Sequence, residues 1–136
     1  MHAGMRVTGG THARVNSRRT RRYRSPYRLW ALAGLLAAAV ITMGIALIFD
    51  VRLYLAWMTG LSVVLFAFYG LDKRRAASGG GRIPETVLHG FALAGGFAGG
   101  WAGRLAFRHK TRHLSFLIVL LLASAAHAGI AFWLLL

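Results

Sequence analysis

All twenty Asp, Glu, Lys and Arg residues of the chain fall outside four runs, 29–49, 53–71, 86–103 and 114–136, which are 21, 19, 18 and 23 residues long. Crossing ~30 Å of hydrocarbon takes roughly 20 helical residues, and a formal charge among them is costly. The pattern therefore predicts an all-α integral membrane bundle. It has four transmembrane helices, at about 29–49, 53–71, 84–103 and 114–136, and a basic tail over 1–28. The connecting segments 50–52, 72–85 and 104–113 are too short to bury a core of their own, which excludes a water-soluble catalytic domain.

Hydrophobic residues make up 57% of the 136, and seventeen Lys and Arg against three acids, Asp50, Asp72 and Glu85, leave a net charge of +14. Such an excess calls for an anionic partner, and anionic lipid headgroups are the nearest. Cysteine is absent, which removes disulfides, thiol nucleophiles and thiolate metal sites. The tail carries Arg6, Arg14, Arg18, Arg19, Arg21, Arg22, Arg24 and Arg28 among Gly, Ser, Thr and Pro26, and is expected to be disordered and cytoplasmic. Ser17-Arg18-Arg19 suggests a twin-arginine export signal, but Arg21 and Arg22 stand where an apolar pair belongs. The run at 29–49 is too long for the core of a secretory signal. Nucleic acid is the weaker alternative partner for the tail.

Orientation follows from the retention of Lys and Arg on the cytoplasmic side. The tail lies inside, 50–52 outside, and Lys73, Arg74, Arg75 and Arg82 inside. If 86–103 spans, Arg104, Arg108, Lys110 and Arg112 lie outside, against the rule. Either this segment spans and its basic loop stands outside, or it dips in and returns, placing both basic loops on one side. Gly90, Gly95, Gly96, Gly99, Gly100 and Gly103 permit the second course. Pro84 and Glu85, which suit the start of a helix, favour the first.

On a helix, Gly95, Gly99 and Gly103 line one side, a packing face for a neighbouring helix, a second copy or a partner protein. Trp30, Tyr54, Trp57, Tyr69, Trp101 and Trp133 fall toward run ends and read as interfacial anchors. His89 and His127 are the intramembrane polar residues. On straight antiparallel helices they lie at similar depth and could share a hydrogen bond; the competing reading has each satisfied by a backbone carbonyl or Ser124. His109 and His113 are spaced i, i+4 but stand among Arg108, Lys110 and Arg112, so no metal site is expected. No cofactor is expected.

The polar loops hold a more specific pattern. Tyr69-Gly70-Leu71-Asp72-Lys73-Arg74, then Arg82-Ile83-Pro84-Glu85, a glycine-rich helix, and Phe107-Arg108-His109-Lys110-Thr111 followed by Ser115-Phe116, resemble the bacterial membrane family catalogued as domain of unknown function 1294. The resemblance covers approximately residues 60–125. It implies a small multi-pass protein of the bacterial cytoplasmic membrane and no established activity. Some members carry an upstream cold-shock domain, for which residues 1–28 are too short and too Arg-rich.

Two readings of these loops stand side by side. In one, Asp72 pairs with Lys73 or Arg82, and Glu85 with Arg82, pinning the loops. In the other, Lys73, Arg82, Arg108 and Lys110 bind an anion or lipid phosphate, with Asp72, Glu85 and His109 as candidate catalytic groups. That pocket requires both loops on one side of the membrane. No nucleophile with an orienting pair, phosphate loop or paired carboxylates favours an enzyme. A scaffold or accessory protein contacting anionic lipid and a partner helix is the leading expectation; a small transporter or an enzyme acting on a phosphate-bearing lipid or solute is the alternative.

Overall fold

A computed structural model describes residues 26–108 and 113–136, which are helical apart from short connections, with no strand among them. The expectations for residues 1–25, and those for His109 and Lys110, fall outside the described residues. The end of the tail is corrected: Pro26 precedes the first helix, and Tyr27 and Arg28 are its first residues.

Helix α1 (Tyr27–Phe49) is an apolar rod that ends where Asp50 takes a left-handed conformation, φ 49°. Helix α2 (Leu53–Ala77) follows after the three-residue step 50–52 and closes on a turn at Ser78 and Gly79. Helix α3 (Glu85–Phe91) starts behind Pro84 and runs into a π-helical turn (Ala92–Gly96), from which α4 (Phe97–Phe107) and then α5 (Leu114–Leu135) continue the chain. Among the described residues, α1, α2 and α5 are the helices long and apolar enough to cross a membrane.

The expected continuous helix over 84–103 is therefore corrected. Gly95 adopts φ 131°, ψ −5°, a conformation that side-chain-bearing residues rarely take, and the chain reverses there. Neighbour pairs along α2 give the direction of each arm. Asp72 meets Ile83 and Phe68 meets Phe91, so α3 runs antiparallel to α2. A side chain at Gly96 would strike the Leu61 carbonyl, one at Gly99 the Ser62 carbonyl, and one at Gly103 the Tyr69 ring, so α4 runs parallel to α2. Residues 85–107 thus form a helical hairpin with both feet at the Asp72 end of the bundle. Its tip, beside Met58 and Leu61, lies ~21 Å from Asp72 along α2 and ~8 Å short of the opposite end.

Helices α1 and α5 flank this unit. On α1, Trp30 packs edge-on against Phe68 and Ala38 lies beside Gly60; on α5, Phe116 packs against Tyr69 and Leu120 against Gly100, so both run antiparallel to α2. Burial singles out α2 as the central element, with 44% of its apolar window covered against 17% for α1 and 22% for α5. The outer faces, including Leu32, Leu36, Val40 and Leu47 on α1 and Leu121, Leu122 and Phe132 on α5, are exposed. In lipid such faces carry no penalty.

Glycine explains how two arms fit against one helix. Gly96 and Gly99 bring the α4 backbone onto the carbonyls of Leu61 and Ser62, and Gly103 forms a floor for Tyr69. The face expected for a neighbouring helix is thus occupied by α2 of the same chain.

Candidate functional site at the basic end

The hairpin brings the three sequence motifs to one end of the bundle. Asp72, on the last turns of α2, is fully buried, and its Oδ1 accepts the backbone N–H of Ile83 at 2.8 Å. A buried carboxylate is costly unless hydrogen-bonded, and this bond ties the 78–84 loop down where the hairpin begins. The bonded residues are followed and preceded by two of the predicted anion ligands: Lys73 comes after Asp72 and Arg82 before Ile83, both exposed. Arg75 Nε donates to the Gly81 carbonyl at 2.7 Å and its guanidinium lies 5.2 Å from the Trp30 ring centre, anchoring the same loop to α1. Glu85, the first residue of α3, is exposed.

The returning arm delivers the rest. Arg104 lies within electrostatic range of Tyr69, as does Asp72. Arg108, exposed and left-handed at φ 45°, ends α4. Phe107 reaches across to Gly70, where an added Cβ would lie 2.9 Å from its ring. Between α2 and this returning arm a recess of about 320 Å³ is lined by Ala67, Gly70, Leu71, Arg74 and Phe107. Arg74 was not among the ligands expected from sequence; its place one helical turn beyond Gly70 was the available signal. At the start of α5 Phe116 gathers Tyr69, His89 and His113, with ring centres 6.0, 4.4 and 6.4 Å away.

His89 and His127 are not brought together as a bonded pair. His89 packs on Phe116, whereas His127 stands eleven residues further along α5, ~16 Å deeper. Equal depth assumed a straight crossing, and the reversal at Gly95 removes it. His127 instead serves the hairpin tip. Its Nε2 lies 2.9 Å from the Leu93 carbonyl and its Nδ1 2.8 Å from the Tyr54 hydroxyl, while Phe97 stacks on the ring at 5.4 Å. A carbonyl only accepts, so Nε2 donates and Nδ1 accepts from Tyr54. Trp57 Nε1 donates to the next carbonyl, Ala94, at 3.2 Å. The two side chains thereby satisfy backbone oxygens released by the break in the helix, a requirement for irregular backbone at membrane depth.

Four of the aromatics read as headgroup anchors take internal roles. Tyr54 and Trp57 hold the tip, Trp101 Nε1 donates to Ser124 Oγ at 3.1 Å, and Tyr69 is only 2% exposed. Trp133, 78% exposed, remains on the outer surface. Among the described residues no group of three or more His, Asp or Glu could hold a metal ion.

Residues 62–116 match a family model described as "Protein of unknown function (DUF1294)". The matched segment runs from the middle of α2 through the hairpin to Phe116, and so takes in the whole basic end apart from α1. No curated protein and no solved structure matches the chain.

Proposed function

We propose, from the premise that residues 62–116 are a DUF1294 segment, that the protein is a small membrane scaffold. Its basic end holds anionic, phosphate-bearing lipid headgroups. The observation that carries this reading is the doubling back of the hairpin. It leaves Arg28, Lys73, Arg74, Arg75, Arg82, Arg104 and Arg108 at one end and, of the described basic residues, Arg52 alone at the other. The positive-inside rule then assigns the basic end to the cytoplasm of a bacterial inner membrane, with the amino terminus inside and no exception at the third loop. Each base near an anionic leaflet contributes roughly 1 kcal/mol of attraction. The recess at Arg74 offers a cation beside apolar walls, the pairing of properties that a phospholipid presents at the interface. Because α2 covers the glycine face, lipid is a better-supported partner than a second helix.

An enzyme or transporter acting on such a lipid is the second reading. It is favoured by the buried carboxylate of Asp72 lying at the same end as the cations.

Two measurements test the proposal. Because the chain has no cysteine, single cysteines at Ser78, His113 and Val51 can be labelled with an impermeant thiol reagent in sealed vesicles. Ser78→Cys and His113→Cys should react from the same side and Val51→Cys from the other; labelling of the first two from opposite sides would break the reading. Lipid retained on purification from mixed phosphatidylglycerol and phosphatidylcholine vesicles should be enriched in the anionic species. The enrichment should fall in Lys73→Gln/Arg74→Gln/Arg108→Gln, and an unchanged ratio would count against headgroup binding.

A further inference from the structure

Between α1 and the entering arm of the hairpin lies a second cavity, of about 320 Å³, that the basic-end recess does not reach. Its walls are two ladders of helical spacing i, i+4, i+8: Tyr27, Ala31 and Leu35 on α1 face Thr86, Gly90 and Ala94 on the hairpin. Each ladder is ~12 Å long. Leu61, Val87 and Phe91 complete the apolar lining. At Gly90 an added Cβ would meet nothing within 4 Å, so the slot is open there and not closed by its own walls.

The mouth has a different chemistry. Tyr27 lies at the start of α1, and Arg28 Nε donates to its hydroxyl at 2.9 Å, with the guanidinium 5.7 Å from the Tyr27 ring centre. Thr86 adds a hydroxyl-bearing side chain across from it, next to the exposed carboxylate residue Glu85. The cavity therefore begins among polar groups at the basic end and continues inward along apolar walls for about two helical turns.

We infer that this slot takes one acyl chain of an anionic phospholipid, whose phosphate lies at the Arg28 end. The inference rests on the headgroup reading above and specifies how a lipid is held in depth. Three long apolar helices make hydrocarbon the surrounding solvent, and the small residues Ala31 on one wall and Gly90 and Ala94 on the other leave room for a chain that runs along both helices. Arg28 supplies the charge complement for the phosphate, as Lys and Arg do at membrane interfaces. Ordering a chain in a preformed slot distinguishes this lipid from those in contact with the outer faces of α1 and α5.

The test is photocrosslinking of the full chain in phosphatidylcholine vesicles doped with a phosphatidylglycerol bearing a diazirine in its acyl chain, with adducts mapped by mass spectrometry. Adducts should concentrate on Leu35 and Ala94 relative to Ile118 and Leu122 on the outer face of α5. Gly90→Leu, which fills the slot and improves helix propensity, should remove the excess while leaving the α5 adducts unchanged. Ala31→Leu should do the same from the opposite wall. A diazirine-bearing phosphatidylcholine should give about fivefold less slot labelling. Slot labelling that neither variant alters would overturn the acyl site while leaving the headgroup reading intact. Equal labelling by the two lipids would leave the slot and overturn the preference for an anionic headgroup.

Discussion

Helix α1 and the hairpin make an instructive pair. Helix α1 is 23 residues of uninterrupted helix, and the hairpin, from elements of 7, 5 and 11 residues, is equally long. Helix α1 crosses the bundle from end to end, while the hairpin enters and returns. The number of helical residues does not separate them. What does is the placement of glycine and the supply of partners for a broken backbone. In α1, Gly44 faces open space, and a side chain there would meet nothing within 4 Å. In the hairpin, Gly95 supplies the reversal, Gly96, Gly99 and Gly103 allow α2 to approach, and His127 and Trp57 receive the freed carbonyls.

The contrast can be broken most forcefully at Gly99. A side chain at this position collides with the Ser62 carbonyl, which is backbone and cannot swing aside. Gly99→Leu should destabilise by more than ~3 kcal/mol, the upper end of overpacking effects, and release α4 from α2. Reversible unfolding in mixed micelles measures it. A near-native midpoint would show that the hairpin is not held by close backbone approach.

Asp72→Ala should follow, because it removes the buried carboxylate and leaves the Ile83 N–H without that acceptor. A loss of about 1–3 kcal/mol is expected, accompanied by faster tryptic cleavage after Arg75 and Arg82. Unchanged proteolysis would mean that the loop is held by other contacts.

Gly95→Ala acts differently from Gly99→Leu. Its Cβ finds ordinary contact distances, 3.4 Å to Met58 and 3.5 Å to Leu61, but φ 131° is strained for alanine by roughly 1–3 kcal/mol. The same unfolding assay should report that loss, and a stabilised protein would indicate that the straight helix competes with the hairpin.

Tyr54→Phe removes one hydrogen bond to His127 while keeping the ring, and about 0.6 kcal/mol is expected from intramembrane hydrogen bonds. Gly44→Leu is the control for the whole series. With nothing in reach of the new side chain, it should change the midpoint by less than ~0.5 kcal/mol.

Much of this could be read along the chain. The boundaries of α1, α2 and α5 lie within a few residues of the uncharged runs, except that α2 continues past Leu71 to Ala77, carrying Asp72 and three basic residues as further helical turns. Charge marks where hydrocarbon ends, not where a helix does. Pro84 and Glu85 do begin a helix, but a good start says nothing about where it finishes. The third loop, with Arg108 at its edge, registered the reversal as a violated charge rule and left two courses open. Of the two readings of His89 and His127, a backbone carbonyl does receive His127, but their relative depth was not recoverable, since it depends on the direction of a chain that has already turned. Tyr54, Trp57, Tyr69 and Trp101 misled for a related reason: their positions near run ends fit anchors, and only their partners reveal them as supports for the hairpin.

Sequence alone determined that the body of the chain is helical, that it carries uncharged runs of bilayer length, and that the motif-bearing segment resembles a known family, because each rests on local hydrophobicity, charge and residue order. Tertiary structure decided that the third apolar segment turns back and gathers the motifs at one end. A glycine-rich run has no preferred course of its own, and its reversal becomes favourable only where α2 offers backbone to lie against and α5 offers an imidazole for an exposed carbonyl.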